Sequence, residues 1–374
     1  MVNEKKIIVL VSNDLVTDQR VFKICTTIYN SNFKVELWGR KRKESLELPN
    51  FTWKSRRFKL FFETGAQFYI LLNIHIFTRL LFKKYDIIYA NDLDTLLAAY
   101  LASKIRNKEL IYDTHEYFTG VPELIERPKI QKIWKLIERN IFPKLKNVFT
   151  VNNSISELYF KEYKVKPLVM RNIPLNLNNE KRLNRTQLNL PEDKFLILMQ
   201  GNGINIQRGA EEAVEMMLYI ENAVLIIIGS GDVIPLLNKM VNQFKLENKV
   251  RFFPRMPYND LFQYTINCDL GLTLDKPTNI NYQLSLPNKI FDYIRAEIPV
   301  LASNLVEVSK IVNDYQIGEI AENFNPKHLA EIVINLKNNN ILLEFYKENC
   351  RKAKKQLTWE NESKALQDLL IKLK

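Results

Sequence analysis

Short apolar runs alternate with longer amphipathic stretches along the first 151 residues. Residues 6–11 (KIIVLV), 34–38, 86–90 (DIIYA), 109–112 and 147–151 read as strands. Between them, residues 20–30, 93–105 and 130–142 read as helices. In the first of these helices Val21, Ile24, Cys25 and Ile28 recur at helical spacing on one side. A polar, Asn-rich, Pro-bounded stretch at 171–191 then reads as a linker. Beyond it the alternation restarts. Strands are expected at 194–200, 223–229 (AVLIIIG), 250–253, 269–274 and 299–302, and helices at 208–219, 233–244, 259–265 and 287–295. Alternation of this kind predicts two α/β units in tandem, each an open parallel sheet with crossover helices.

In such sheets ligands gather at the carboxyl ends of the strands. That rule selects residues 12–20, 91–94, 113–116, 201–209, 229–232 and 283–289. Composition narrows the classes. Three cysteines, Cys25, Cys268 and Cys350, are too few and too dispersed for a disulfide framework or a zinc site. The apolar run after Lys5 and Lys6 stops at Ser12, too soon for a signal peptide. No uninterrupted apolar stretch approaches the ~20 residues of a membrane span. Placement in the cytosol or on the cytosolic face of a membrane is therefore expected.

Several strand ends carry chemistry. Gly201, Asn202 and Gly203, with Arg208 and Gly209, lie between a strand and a helix. Such a loop can turn tightly and offer amides and a guanidinium to an anion. Gly229 and Gly231 follow a buried strand but lack the third glycine of a dinucleotide fingerprint. Pro287, Asn288 and Lys289 open a helix expected to start at Pro287. Asp292 lies three residues after Lys289, on the same face. Asp92 and Asp94 could chelate a divalent metal, although a helix cap is the simpler reading. Of three histidines only His115 follows a strand with acids beside it, where acid–base chemistry is possible. His75 and His328 read as structural.

The order of these segments resembles the GT-B glycosyltransferases, specifically the retaining, nucleotide-sugar-dependent glycosyltransferase family 4 (group 1). The resemblance rests on SNDLVTDQRVFKICTTIYNSNFKVELWG, YANDLDTLLAAYLA, IYDTHEY, QGNGINIQRG, VLIIIGSGD, VRFFPRMP, CDLGLTL and LSLPNKIFDYIRAEIPVLAS. It implies two Rossmann-like parallel-sheet domains facing a cleft. Their expected spans are 1–171 for an acceptor domain, 172–191 for the linker, 192–355 for a nucleotide-sugar domain and 356–374 for a helix crossing back, anchored by Trp359.

By the same resemblance, Arg208 and Lys289 contact the donor diphosphate and His115 lies near the transferred sugar. Gly201, Asn202, Gly203, Gly229, Gly231, Arg255, Pro287, Asn288 and Asp292 fall on the donor side, with Asp292 holding the ribose. Asn13, Asp18, Arg20, Asp92 and Glu116 fall on the acceptor side. This sequence departs from the family where its first paired acid would stand, at Leu284, and where a glycine usually precedes Pro299, at Glu297. The implied reaction is hexosyl transfer with retention from a nucleoside-diphosphate sugar to a hydroxyl acceptor, without a cofactor or metal. Domain closure would exclude water.

Charge adds a partner. Residues 1–171 hold 30 basic and 18 acidic side chains, whereas residues 172–374 hold 24 of each. Much of the surplus lies between 40 and 84, beside the apolar run 58–82. That pairing suits an anionic membrane surface and a lipid-linked or cell-surface glycan acceptor. No nucleic-acid module accompanies it, so nucleic acid is not expected as a partner. Two other classes remain open at this point. One is a nucleotide-cofactor oxidoreductase with two Rossmann-like domains. The other is a non-catalytic two-domain ligand-binding protein.

Overall fold

A computed structural model describes residues 4–16, 18–175 and 182–374. The chain divides into two compact units, Met1–Asn172 with Trp359–Lys374, and Ile173–Thr358.

The first unit contains β1 (Lys6–Leu10), α1 (Gln19–Asn30), β2 (Lys34–Lys41), β3 (Lys54–Lys59), α2 (Gly65–Phe82), β4 (Ile87–Asn91), α3 (Leu93–Arg106), β5 (Glu109–Thr114), α4 (Pro122–Ile125), α5 (Pro128–Ile141), β6 (Asn147–Thr150), α6 (Asn153–Tyr163) and β7 (Leu168–Val169). Its sheet is wholly parallel, in the order β3-β2-β1-β4-β5-β6-β7. The chain order reverses between β1 and β4, so the switch point lies at Ser12 and Asn91. β1 and β4 are buried on both faces, which explains their nearly continuous apolar runs, whereas β2 also buries Glu36 and Arg40.

The second unit contains β8 (Phe195–Gly201), α7 (Ala210–Met216), β9 (Ala223–Gly229), α8 (Ile234–Phe244), β10 (Val250–Phe253), α9 (Tyr258–Thr265), β11 (Leu270–Thr273), α10 (Ile280–Gln283), α11 (Lys289–Ala296), β12 (Val300–Ser303), α12 (Val306–Tyr315), β13 (Gly318–Ala321), α13 (Pro326–Asn338) and α14 (Asn340–Gln356). Its parallel order is β10-β9-β8-β11-β12-β13, with the reversal between β8 and β11. Alternate residues of β8 and β9 feed two cores, one on each face of the sheet.

Several expectations need correction. Residues 176–181 of the expected linker lie outside the described residues. Residues 182–190 are no loose tether, because Leu188 and Leu190 enter the second unit's core. Arg185 there bonds the Asp269 carboxylate at 2.8 Å and the Asn267 carbonyl at 3.0 Å. The helix expected from Pro287 starts at Lys289. The one expected from Arg208 starts at Ala210, behind a Gly209 in left-handed backbone (φ 73°) whose Cβ would strike the Leu274 carbonyl.

α2 meets the length and composition of a membrane-crossing helix, with a mean hydropathy of 1.2 over 18 residues. Its Phe68, Leu72, Ile76 and Leu80 are nevertheless buried in the first unit. The chain's last segments, α15 (Trp359–Glu362) and α16 (Lys364–Leu373), also belong to that unit. The Trp359 indole N–H donates to the Thr27 hydroxyl of α1 at 2.9 Å, and Lys23 lies 4.8 Å from the ring centroid.

Candidate active site

In the first unit the strand-end residues form a closed charge network. Arg20 is only 3% exposed. Its Nε and Nη2 donate to the two oxygens of buried Asp113 at 3.0 and 2.7 Å, and Nη1 donates to the Met170 carbonyl at 2.7 Å. Arg20, expected to line a ligand surface, is therefore an internal brace. Tyr89 adds a hydroxyl to Asp113 at 3.1 Å. Burial alone would raise the Asp113 pKa, but Arg20 and His115 hold it well below the usual carboxylate range.

His115 sits among acceptors. Its Nδ1 lies 3.1 Å from Asp92 Oδ2, and its Nε2 lies 3.1 Å from Asn91 Oδ1 and 3.5 Å from Asp113 Oδ2. Both ring nitrogens face oxygen, which asks for a proton on each. Burial would lower the pKa, but Asp92 and Asp113 outweigh it and hold His115 well above the ordinary imidazole value. An imidazolium is a poor general base. A hydrogen bond from the ring to a sugar hydroxyl would find both nitrogens already engaged.

Asp92 occupies the N-cap position of α3 without capping it; its Oδ1 accepts the His115 amide at 2.9 Å. Its backbone, at φ 58° and ψ 164°, lies in a region nearly reserved for glycine. Asp94 turns away, accepting the Ser12 hydroxyl at 2.5 Å. Burial and the charge of Asp92 push Asp94 up to about 7. Its Oδ1 meets no donor, which suits a neutral acid. The two acids thus diverge instead of converging on a metal. Among the described residues no group of three or more His, Cys, Asp or Glu side chains is arranged to hold one. Asp18 caps α1 by accepting the Val21 amide at 3.1 Å. Asn13 is exposed after β1, its carbonyl accepting the Arg40 amide at 3.2 Å. Glu116 is half-buried just beyond β5.

In the second unit the cations named from sequence share a partner that the sequence reading missed. Asp275, buried two residues after β11, receives Arg208 Nη1 on Oδ1 at 2.9 Å and faces Lys289 Nζ across Oδ2 at 3.4 Å. Arg208 also lies over the Tyr282 ring, 4.9 Å from its centroid. Both cations keep part of their surface open to solvent. Lys289 and Asp292 do not pair with each other. Asp292 instead accepts the Tyr258 hydroxyl at 2.6 Å and the Gln200 amide at 3.1 Å. Burial, reinforced by Asp292, pushes Tyr258 far above the ordinary phenol value.

The glycines divide by role. A Cβ on Gly229 would stand 1.8 Å from the Gly201 carbonyl oxygen, and one on Gly231 would stand 1.9 Å from that of Ile204. These two serve loop-on-loop packing. A Cβ on Gly201 or Gly203 would meet only ordinary contacts, at 3.9 and 3.7 Å, so packing does not demand glycine at either place. Pro287 and Asn288 precede α11, and their carbonyls accept the Ile290 and Phe291 amides at 3.2 and 3.0 Å. Leu284 ends α10, and Arg255 is exposed after β10.

Comparison with known proteins agrees with this layout. Residues 180–355 match the family model of glycosyl transferases group 1. No curated protein sequence matches the chain. Among solved structures, sucrose-phosphate synthase from Thermosynechococcus elongatus has a TM-score of 0.80 at 16% identity, covering 99% of both chains. A glycosyltransferase from Rickettsia africae gives 0.78 at 15% identity, again over 99% of both. Anabaena HepE in complex with UDP gives 0.76 at 16% identity, over 98% of this chain and 100% of that one. Residues 180–355 thus match the group 1 glycosyl transferase model, and the chain as a whole has the GT-B fold of two Rossmann-like parallel-sheet units.

Proposed function

We propose that the protein moves a hexosyl group, with retention, from a nucleoside-diphosphate sugar to a hydroxyl acceptor, without a metal ion or cofactor. The acceptor is a lipid-linked or cell-surface glycan precursor, met at the cytoplasmic face of an anionic cell membrane through residues 40–84. The observation that carries the donor half of this reading is the pair Arg208 and Lys289 astride Asp275. It lies at the switch point of the matched domain, where a diphosphate is held in open α/β sheets. HepE structures with UDP and with UDP-glucose make uridine-diphosphate hexoses the first donors to test.

In the reaction, the bond from the sugar's anomeric carbon to the β-phosphate oxygen breaks, and its electron pair leaves with the diphosphate. Arg208 and Lys289 stabilise that charge. The acceptor oxygen forms the new bond on the same face, and its proton passes to the departing phosphate. Asp275 keeps the two cations in place before the donor arrives. Asp292, held by Tyr258 and Gln200, accepts from the ribose hydroxyls. His115 contributes fixed positive charge, not proton abstraction.

The test is incubation with a panel of nucleoside-diphosphate hexoses and membrane-extracted acceptors, with the product's anomeric configuration read by NMR. A product of unchanged anomeric configuration is expected. Turnover of no donor, or inversion, would overturn the reading.

A further inference from the structure

The outer side of α2 carries a row at i, i+4 spacing, formed by Ala66, Ile70, Ile74, Thr78 and Phe82. Ile70, Ile74 and Phe82 are 57%, 54% and 87% exposed. Phe61, just ahead of the helix, is 89% exposed. The opposite side of α2 is buried, so the helix is fixed in its unit while an apolar edge faces water. An exposed apolar row of this kind marks an interaction surface.

The row runs at its C-terminal end into an open groove of about 450 Å³ between α2 and the β2–β3 edge. Arg56, Arg79, Lys83, His75, Trp38 and Phe82 line it. Arg79 Nε donates to His75 Nε2 at 2.7 Å, which makes that imidazole nitrogen an acceptor and the ring neutral. Lys83 is partly matched by buried Glu36, 3.3 Å away. Arg56 is exposed on β3. The groove therefore presents two guanidinium groups and an ammonium beside aromatic surface. Guanidinium groups suit phosphate oxygens. Residues 40–84, which supply all of that lining but Trp38, hold eleven basic side chains against three acidic ones along the sequence.

We propose that this groove binds the phosphate headgroup of an anionic phospholipid while Ile70, Ile74 and Phe82 enter the adjoining acyl boundary, docking the first unit on a bilayer. Charge complementarity selects the occupant. Basic residues flank an apolar row that lies along the surface of the unit, the arrangement of an interfacial helix. The inference deepens the membrane part of the reading above and stands apart from its donor part, because no residue named here belongs to either strand-end cluster.

The experiment is flotation of the full chain with vesicles of phosphatidylcholine alone and of phosphatidylcholine mixed with phosphatidylglycerol. Wild type is expected to float only with the mixed vesicles. Ile70→Ser, Ile74→Ser and Phe82→Ser combined should weaken vesicle binding about a hundredfold or more, since all three side chains lose their burial in the boundary. Arg56→Ala should weaken it about fivefold, the worth of one basic residue near an anionic surface. Donor turnover on a soluble acceptor, measured in the same variants, should stay at the wild-type level. Wild-type protein that ignores mixed vesicles, or a triple variant that floats as well as wild type, would overturn the proposal. Glycerol 1-phosphate separates the sources of phosphate. Tight saturation of the groove by glycerol 1-phosphate, with flotation unaffected, would make free phosphate the ligand and likewise overturn it.

Discussion

The two strand-end clusters use similar residues to opposite effect. In the first unit, Arg20 spends three donors on Asp113 and Met170, and His115 spends both ring nitrogens on its neighbours. The second unit gives two cations one acid between them, and both retain some exposure. A guanidinium that is fully paired and buried positions other groups, whereas one that shares its counterion can turn to a ligand. The residue type alone does not separate these roles; the count of buried acceptors around it does.

The largest effect that would break the comparison is on folding. Arg20→Ala leaves Asp113 charged and buried without its partner, so a loss of about 3–5 kcal/mol in urea denaturation is expected. A neutral result would mean that Arg20 is not a brace. Next comes catalysis. Arg208→Ala and Lys289→Ala should each lower kcat/KM for the donor about 100-fold or more, the usual loss for a group acting on leaving-group charge, with unfolding midpoints close to wild type. A collapse of stability in either would erase the contrast between the units.

A smaller effect sharpens the first cluster. Because Asp92 holds backbone suited to glycine, Asp92→Gly should be more stable than Asp92→Ala by about 1–3 kcal/mol, read from paired denaturation curves. Asp92→Asn should lower the His115 titration, followed by NMR, because one of the charges that raise it is removed.

Stability also depends on pH, where two groups act with different origins. Asp94 binds its proton more tightly folded than unfolded, so its contribution to stability is present in acid and falls as pH rises from about 4, the unfolded value, to about 7. Asp94→Asn should remove that fall. The raised His115 contributes stability that is complete below about 6.5 and is lost as pH climbs through its higher native value.

Much of the fold was legible because its central strands are buried on both faces and read as continuous apolar runs, as in the AVLIIIG of β9. β3 was not legible. Its sequence KSRRFK buries only Phe58, because it is an edge strand, and edge strands keep charge to discourage further pairing. β13, four residues at the opposite edge of the other sheet, was missed for a similar reason. At the site, Arg208, Lys289, Asp292, His115 and Asp92 could be picked from their places after strands. Asp275 could not be told from an ordinary loop acid, although it too follows a strand at the switch point. Its importance comes from two cations 67 and 14 positions away along the chain, and that proximity is a property of the fold. The roles of Gly229 and Gly231 were equally hidden, since a packing glycine and a phosphate-binding glycine look alike in sequence.

Calorimetric titration of nucleoside mono- and diphosphates into wild type, Arg208→Ala and Lys289→Ala tests the central claim most directly. A diphosphate bound by wild type and weakened about tenfold or more in each variant, the loss of one charge-assisted contact, with the monophosphate nearly insensitive, is the predicted result. Equal diphosphate affinity in all three proteins would contradict it.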